Sequence, residues 1–156
     1  MIATRLKPLL PLLISPEQSG YVEGRKITDG IILTYEIIHS IKQTKKAGML
    51  LKIDLSKAFD TLSWKYIQKM LLAFGFAPPC VRWIMSLITP TFFSILVNGT
   101  PSTPFHPSRG IQQGDPLSPF IFIIMAEGLG RYIKDALQNQ QLRGISFQNT
   151  PAFTHQ

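Results

Sequence analysis

Apolar residues recur at helical spacing in four stretches of the chain, which predicts four helices. Thr28 can cap the first, whose apolar stripe is expected to pack on a core, and Gly75 is placed to end the second. Trp83, on the third, falls at helical core spacing and is expected to pack in the core. The helices are expected at residues 28–42, at 63–74, around 81–88, and from the prolines at 116 and 119 to about 137.

Two other stretches carry the signature of strands. Residues 49–55 alternate with a period of two, which is typical of a half-buried strand and places Lys52 and Asp54 on one face near its end. Residues 91–97 are rich in β-branched and aromatic side chains and run into Asn98-Gly99, a dipeptide that favours a tight hairpin turn. The returning strand contains prolines and can only be an edge, and residues 142–147 are a further candidate strand. The order of elements predicts an α+β or mixed α/β plan.

Composition limits the function classes. With 156 residues, 45% of them hydrophobic, 16% charged and a mean hydropathy of +0.14, the chain has material for one core and is not a disordered tail. The net charge is +7, and residues 1–75 hold eleven basic and six acidic side chains. This charge suits phosphate-rich partners or an anionic membrane surface, although many soluble domains carry as much without binding either.

The sequence also argues against several kinds of site and segment. Cys80 is the single cysteine, and the three histidines lie far apart in the sequence, so neither a disulfide nor a zinc cluster is expected and a reducing compartment fits best. The longest apolar run, residues 120–126, is too short to span a bilayer. We therefore expect no signal peptide, no transmembrane segment and no membrane partner, and an intracellular location, nuclear or cytoplasmic.

Asp54 is the first candidate for chemistry. A carboxylate at the end of an apolar strand is poorly solvated alone, so it is usually paired or bound to a cation. A salt bridge to Lys52 or Lys57 is the structural alternative. A strand end is also a rigid place to hold Mg²⁺, which prefers a few carboxylates together with phosphate oxygens.

The second candidate is the loop over residues 108–119. Gly110 and Gly114 let the backbone approach a ligand, Arg109 offers donors directed at phosphate, and Gln113 offers a side-chain amide. The structural alternative is a Gly/Pro-punctuated loop in which Asp115 and the prolines cap the following helix.

Three blocks then point to one family. Residues 50–64 resemble motif A, and residues 108–129 resemble motif B, of the reverse transcriptases of non-LTR retrotransposons of the long-interspersed-element type, especially those of plants. Residues 18–29, QSGYVEGRKITD, resemble the fingers segment Q-x-G-F-x-x-G-R-x-I-x-D of the same family. The resemblance implies a right-hand polymerase fold, with a partial fingers segment at residues 1–48 and a partial palm with a ferredoxin-like sheet at residues 49–156. It also implies an RNA template, a DNA primer, dNTP substrates and Mg²⁺.

The resemblance assigns roles to individual residues. Asp54 matches the carboxylate that binds the two catalytic Mg²⁺ ions, and Leu55 matches a position whose backbone can also face the metal. Phe59 matches the aromatic residue that excludes a ribose 2′-hydroxyl, with an ordinary core aromatic as its alternative. The Gln113-Gly114 pair matches the motif B residues near the nascent base pair. Arg25 matches a basic residue of the fingers, and a solvated surface arginine is nearly as good an interpretation.

The family pattern continues into motif C, a hairpin with an Asp pair, and this sequence contains no adjacent Asp pair. We therefore expect the chain alone to be catalytically silent and marginally stable, with motif C and the thumb supplied by a longer chain or another chain. The alternative is a non-catalytic retrotransposon remnant that at most binds nucleic acid through its basic face. A weaker third possibility is association with a membrane surface through the basic amphipathic start.

Overall fold

The computed structural model describes residues 2–45, 47–89 and 92–145. Over these residues the chain is mainly helical, with a 3₁₀ turn at Lys7–Leu9 and one small antiparallel sheet. This composition is compatible with the expected α+β plan. The elements are α1 (Ile2–Leu6), α2 (Leu10–Leu13), α3 (Ile27–Thr44), α4 (Ala58–Thr61), α5 (Trp64–Ala73), α6 (Pro78–Ile88), β1 (Leu96–Val97), β2 (Thr100–Pro101) and α7 (Ser118–Gln138).

The core lies where α5, α6 and α7 meet the helical N-terminal segment. Each helix contributes aliphatic residues from one face, and the removal of these side chains from water is the main stabilising contribution to the fold. The fully buried large side chains are Leu10, Ile67, Leu71, Ile84, Ile121 and Ile124.

The structure confirms the four predicted helices, with one correction at a helix start. The backbone turns out of α5 at Gly75, whose φ of +85° is readily adopted only by glycine. At α3, however, Lys26 rather than Thr28 occupies the N-cap position, and its side chain makes no capping hydrogen bond. The predicted cap was therefore wrong, because the N-cap position lies two residues earlier than the pattern suggested.

The predicted hairpin forms with the expected turn. Asn98 and Gly99 both have positive φ, 49° and 82°, and Val97 pairs with Thr100 across them. An isolated bridge between Phe93 and Phe105 extends the pairing beyond the two short strands.

Residues 49–55 do not form the predicted strand. They have no regular secondary structure and are exposed, and no strand among the described residues pairs with them. A strand exists only through its ladder of hydrogen bonds to a partner, so the alternating pattern alone was not sufficient. The only sheet within the described ranges is the hairpin, so those residues contain no ferredoxin-like sheet.

Two packing predictions were also wrong. Helix α3 contains no buried residue: Ile31 and Tyr35 on its apolar stripe are exposed, and Ile38 and Ile41 are only half-buried. On α6, Trp83 was expected to pack in the core, yet 64% of its surface is accessible. Helical spacing identifies one face of a helix but does not show whether another element covers it.

The last predicted strand is described only as far as Ile145, and residues 146 and 147 lie outside the described residues. In the part of the chain that the structure covers, none of the helices combines the length and apolar character that crossing a bilayer requires.

Candidate functional site

The turn after residue 57 and the loop before α7 are joined by three hydrogen bonds. The N–H of Ile111 donates to the carbonyl of Phe59 at 2.9 Å, and the N–H of Gly110 donates to the carbonyl of Leu62 at 2.8 Å. The indole Nε1 of Trp64 donates to the carbonyl of Gly110 at 2.7 Å. The two segments that the sequence singled out therefore form one unit in space, although about fifty residues separate them.

Gly110 makes this close approach possible. Its φ is +93°, and a Cβ atom placed on it would lie 2.9 Å from the carbonyl oxygen and 3.2 Å from the Cα of Asp60. Both neighbouring atoms belong to the backbone and cannot rotate away. No residue with a side chain fits at position 110 without moving the two segments apart.

Phe59 is held from behind by the long helix. Its ring stacks on that of Phe122 in α7, with centroids 5.0 Å apart and an interplanar angle of 15°. The other side of Phe59 lines an open cleft. Phe59 is thus both a packed aromatic and a surface that a ligand can touch, so the two alternatives for this residue are compatible.

The loop before α7 is ordered by an Asx-type turn. The Asp115 carboxylate accepts a hydrogen bond from the N–H of Leu117 at 2.8 Å, just before the helix begins. Gly114 has a φ of +91°, with open space where a Cβ would lie. Asp115 therefore orders the turn that precedes α7, whereas Leu117 occupies the N-cap position without a side-chain capping hydrogen bond. Asp115 also forms part of the cleft wall.

The cleft has a volume of about 460 Å³, within the range of small-molecule sites. Of the predicted site residues it brings together Phe59, Gln113 and Gly114. Its lining residues are Tyr21, Phe59, Gln113, Gly114, Asp115, Pro116 and Pro119.

Asp54 and Leu55 do not line the cleft, and they lie in the exposed segment that precedes α4. Among the described residues, no three His, Cys, Asp or Glu side chains come together as a metal site. Protein-bound Mg²⁺ is typically held by one or two carboxylates plus substrate phosphates and water. Asp54 is an exposed carboxylate, and the described residues do not form a metal-binding cluster with it.

Arg25 is engaged with the backbone of the preceding turn. Its guanidinium donates to the carbonyls of Ile14, at 3.1 Å, of Ser15, and of Gln18, at 2.7 Å. Arg109 is exposed, and neither arginine belongs to the lining of the cleft. In this structure Arg25 acts as a clamp, and only its remaining N–H groups are available to a ligand.

The same turn is held from its other side by α7. Glu127, only 3% exposed, accepts hydrogen bonds from the N–H and hydroxyl of Ser15 at 3.0 and 2.8 Å. Nearby, Lys134 contacts Glu17 at 2.8 Å. Partial burial acts to raise the pKa of the Glu17 carboxyl, but hydrogen bonds, chiefly from Lys134, outweigh it and hold this pKa below its ordinary value. The turn that contains Ser15 and Glu17 is thereby fixed to α7.

Sequence reasoning missed Tyr21 as a cleft residue. Tyr21 lies in the fingers segment, more than thirty residues before Phe59, and reaches the cleft through tertiary packing. The available signal was the aromatic position that follows Gly20 in the block resembling the family's fingers motif.

The known proteins that this chain resembles come from transposable elements. The chain is 31% identical over 126 residues, 81% of its length, to the transposon TX1 uncharacterized 149 kDa protein of Xenopus laevis. It is 35% identical over 100 residues, 62% of its length, to a retrovirus-related Pol polyprotein from the type-1 retrotransposable element R2 of Popillia japonica. It is 29% identical over 153 residues, 98% of its length, to a retrovirus-related Pol polyprotein from the type-2 retrotransposable element R2DM of Drosophila melanogaster.

The chain spans 10%, 16% and 14% of the lengths of these three relatives. The family model of reverse transcriptase (RNA-dependent DNA polymerase) matches residues 1–147. The expected family is confirmed: the chain belongs to the reverse transcriptase family, as its resemblance to the enzymes of non-LTR retrotransposons implied.

Proposed function

We propose that this chain forms the nucleotide-binding part of an RNA-directed DNA polymerase, with the cleft as the place where the incoming nucleotide meets the template. The observation that supports this most is the convergence of Phe59, Gln113 and Gly114 on one cleft, although they come from two distant segments. The substrates are a DNA primer, an RNA template and dNTPs.

In this proposal Phe59 faces the sugar of the nucleotide. Its ring is backed by Phe122 and cannot retreat without disturbing the core, which suits a residue that excludes a 2′-hydroxyl by its bulk. Gln113 and Gly114 lie at the base pair, where the open backbone at Gly114 allows close approach. Arg109, and Arg25 through its remaining N–H groups, supply positive charge for phosphate.

Asp54 is the proposed metal-binding carboxylate, with the Leu55 backbone beside it. Bound Mg²⁺ would supply charge neutralisation at the phosphates, as in other two-metal nucleotidyl transfers. Because Asp54 provides a single carboxylate, we propose that the chain alone does not extend a primer. Further carboxylates, like the thumb, would come from a longer chain or another chain.

Sugar discrimination tests the role of the cleft. The dissociation constants of dATP and ATP are measured for the wild-type chain and for Phe59→Val. The wild-type chain should bind dATP more tightly, and the substitution should reduce the ratio of the two constants. A ratio is insensitive to partial loss of folded protein, so an unchanged ratio contradicts the role of Phe59.

Primer extension tests the role of Asp54. The chain, a DNA primer on an RNA template, dNTPs and Mg²⁺ should yield no extended product. Extension that Asp54→Ala abolishes would show that the chain assembles a complete site.

A non-catalytic nucleic-acid-binding remnant is the second candidate. Exposed lysines on α3 and in the irregular segment that follows it favour this candidate: Lys42, Lys45, Lys52 and Lys57. Binding of RNA that weakens steeply with salt, together with no dATP binding, would support this candidate over the polymerase cleft.

A further inference from the structure

Tyr21 combines features that a purely structural tyrosine would not need. It lines the cleft together with the motif residues, yet 65% of its surface is accessible, so its ring is not a core element. The next residue, Val22, is almost fully buried. The chain therefore turns its aliphatic side chain inward and leaves the aromatic ring at the cleft.

The backbone at Tyr21 lies in the left-handed region, with a φ of 55°. A residue with a bulky side chain is disfavoured there, and glycine is the residue that adopts this conformation at little cost. An aromatic side chain in this conformation contributes nothing to the backbone geometry and little to the core. An aromatic residue at this position of the cleft is explained if the ring itself has a task.

The loop that carries Tyr21 is anchored on both sides. Arg25 clamps the carbonyls of the turn before it, and Glu127 holds Ser15 of the same turn from α7. These contacts hold the strained conformation in place. The backbone of the loop that carries the ring is therefore held before any ligand arrives, which lowers the backbone entropy lost on binding.

We infer that Tyr21 is a base-stacking residue: its ring packs against a nucleobase bound in the cleft, on the side away from Phe59. This inference rests on the proposed function, because it takes the cleft to be a nucleotide site. Two sources of a base are possible, the incoming nucleotide and the template strand, and both offer the same aromatic face.

The test uses the full chain with three probes: dATP, inorganic tripolyphosphate and an oligoadenylate RNA. Tyr21→Ala should weaken binding of dATP or of the RNA by about 5- to 150-fold, the range of one base–aromatic stack. Tyr21→Phe should keep the affinity. Binding of tripolyphosphate, which carries no base, should be the same in all variants. The probe that loses affinity identifies the source of the base.

Two further variants make the result decisive. Tyr132→Ala is the matched control, since Tyr132 is also a tyrosine with 70% of its surface accessible but lies outside the cleft lining. Tyr21→Gly should lose base affinity as Tyr21→Ala does while raising the unfolding midpoint, because glycine relieves the backbone strain.

The outcomes separate this inference from the proposed function. Unchanged affinity of Tyr21→Ala for both dATP and RNA, with the wild-type chain binding them, overturns the stacking role and leaves the nucleotide cleft standing. Failure of the wild-type chain to bind dATP and RNA overturns both. An equal loss in Tyr132→Ala also overturns the stacking role.

Discussion

Replacing Gly110 with alanine tests the contact that unites the two motif segments. Residues with a Cβ are disfavoured in the left-handed region by about 1–2 kcal/mol. The new methyl group would also lie 2.9 Å from the carbonyl oxygen of Asp60, an overlap of the kind that costs about 1–3 kcal/mol when the neighbours must shift. We therefore expect Gly110→Ala to lower the free energy of unfolding by about 2–5 kcal/mol.

Gly114→Ala is the matched control. Gly114 lies in the same loop, has nearly the same φ of +91°, and has open space where the Cβ would be. Alanine at this position should lower the free energy of unfolding only by the cost of the left-handed backbone conformation, about 1–2 kcal/mol. The difference between the two variants therefore measures the close approach to Asp60 separately from the backbone strain.

Urea denaturation of both variants gives these energies, followed by circular dichroism and tryptophan fluorescence. Fluorescence reports on the contact directly, because the indole of Trp64 donates its hydrogen bond to the carbonyl of Gly110. Equal losses in the two variants would refute the reasoning, since they would mean that the loop and the turn are not in tight contact. A loss in Gly114→Ala larger than that in Gly110→Ala would refute it as well.

Two further substitutions test how α7 is packed. In Gly128→Ala the added methyl group would meet the Tyr66 hydroxyl, which donates to the carbonyl of Met125, and lie 2.6 Å from the Met70 Cε. The overlap costs about 1–3 kcal/mol and alanine gains about 1 kcal/mol over glycine inside a helix, so a thermal melt should show a net loss of stability of at most about 2 kcal/mol, and a clearly raised melting temperature would contradict the packing. Glu127→Ala should lower the free energy of unfolding in urea by about 1–3 kcal/mol, because the N–H and hydroxyl of Ser15 lose their acceptor. Glu127→Gln should lower it less, and equal stability of Glu127→Ala and the wild-type chain would show that the contact contributes nothing.

Local patterns in the sequence predicted the helices and the hairpin well. Helix α5 has a strong apolar stripe and a glycine at its end, and both features act within a few residues. The hairpin turn depends on Asn98 and Gly99 alone, since these two residues tolerate positive φ. Such features depend on neighbours along the chain, so the sequence is sufficient to find them.

Predictions that depended on distant partners fared differently. Residues 49–55 alternate as a strand should, but a strand needs a ladder partner, and none is found within the described ranges. Ile31 and Tyr35 on the stripe of α3 and the ring of Trp83 were expected in the core, and all three residues are exposed. Periodicity indicates which face of an element is apolar and does not indicate what that face contacts.

By itself, the sequence determined the family, the helices, the tight turn, and the two segments that carry Asp54, Phe59, Gln113 and Gly114. Tertiary structure alone decided that the ring of Phe59 and the loop at Gln113 share one cleft, that Gly110 permits their contact, and that Tyr21 completes the wall. The physical reason is that motif residues are recognised one segment at a time. A cleft exists only when segments distant in the chain pack together, and that packing depends on backbone contacts and side-chain volumes that no single segment encodes.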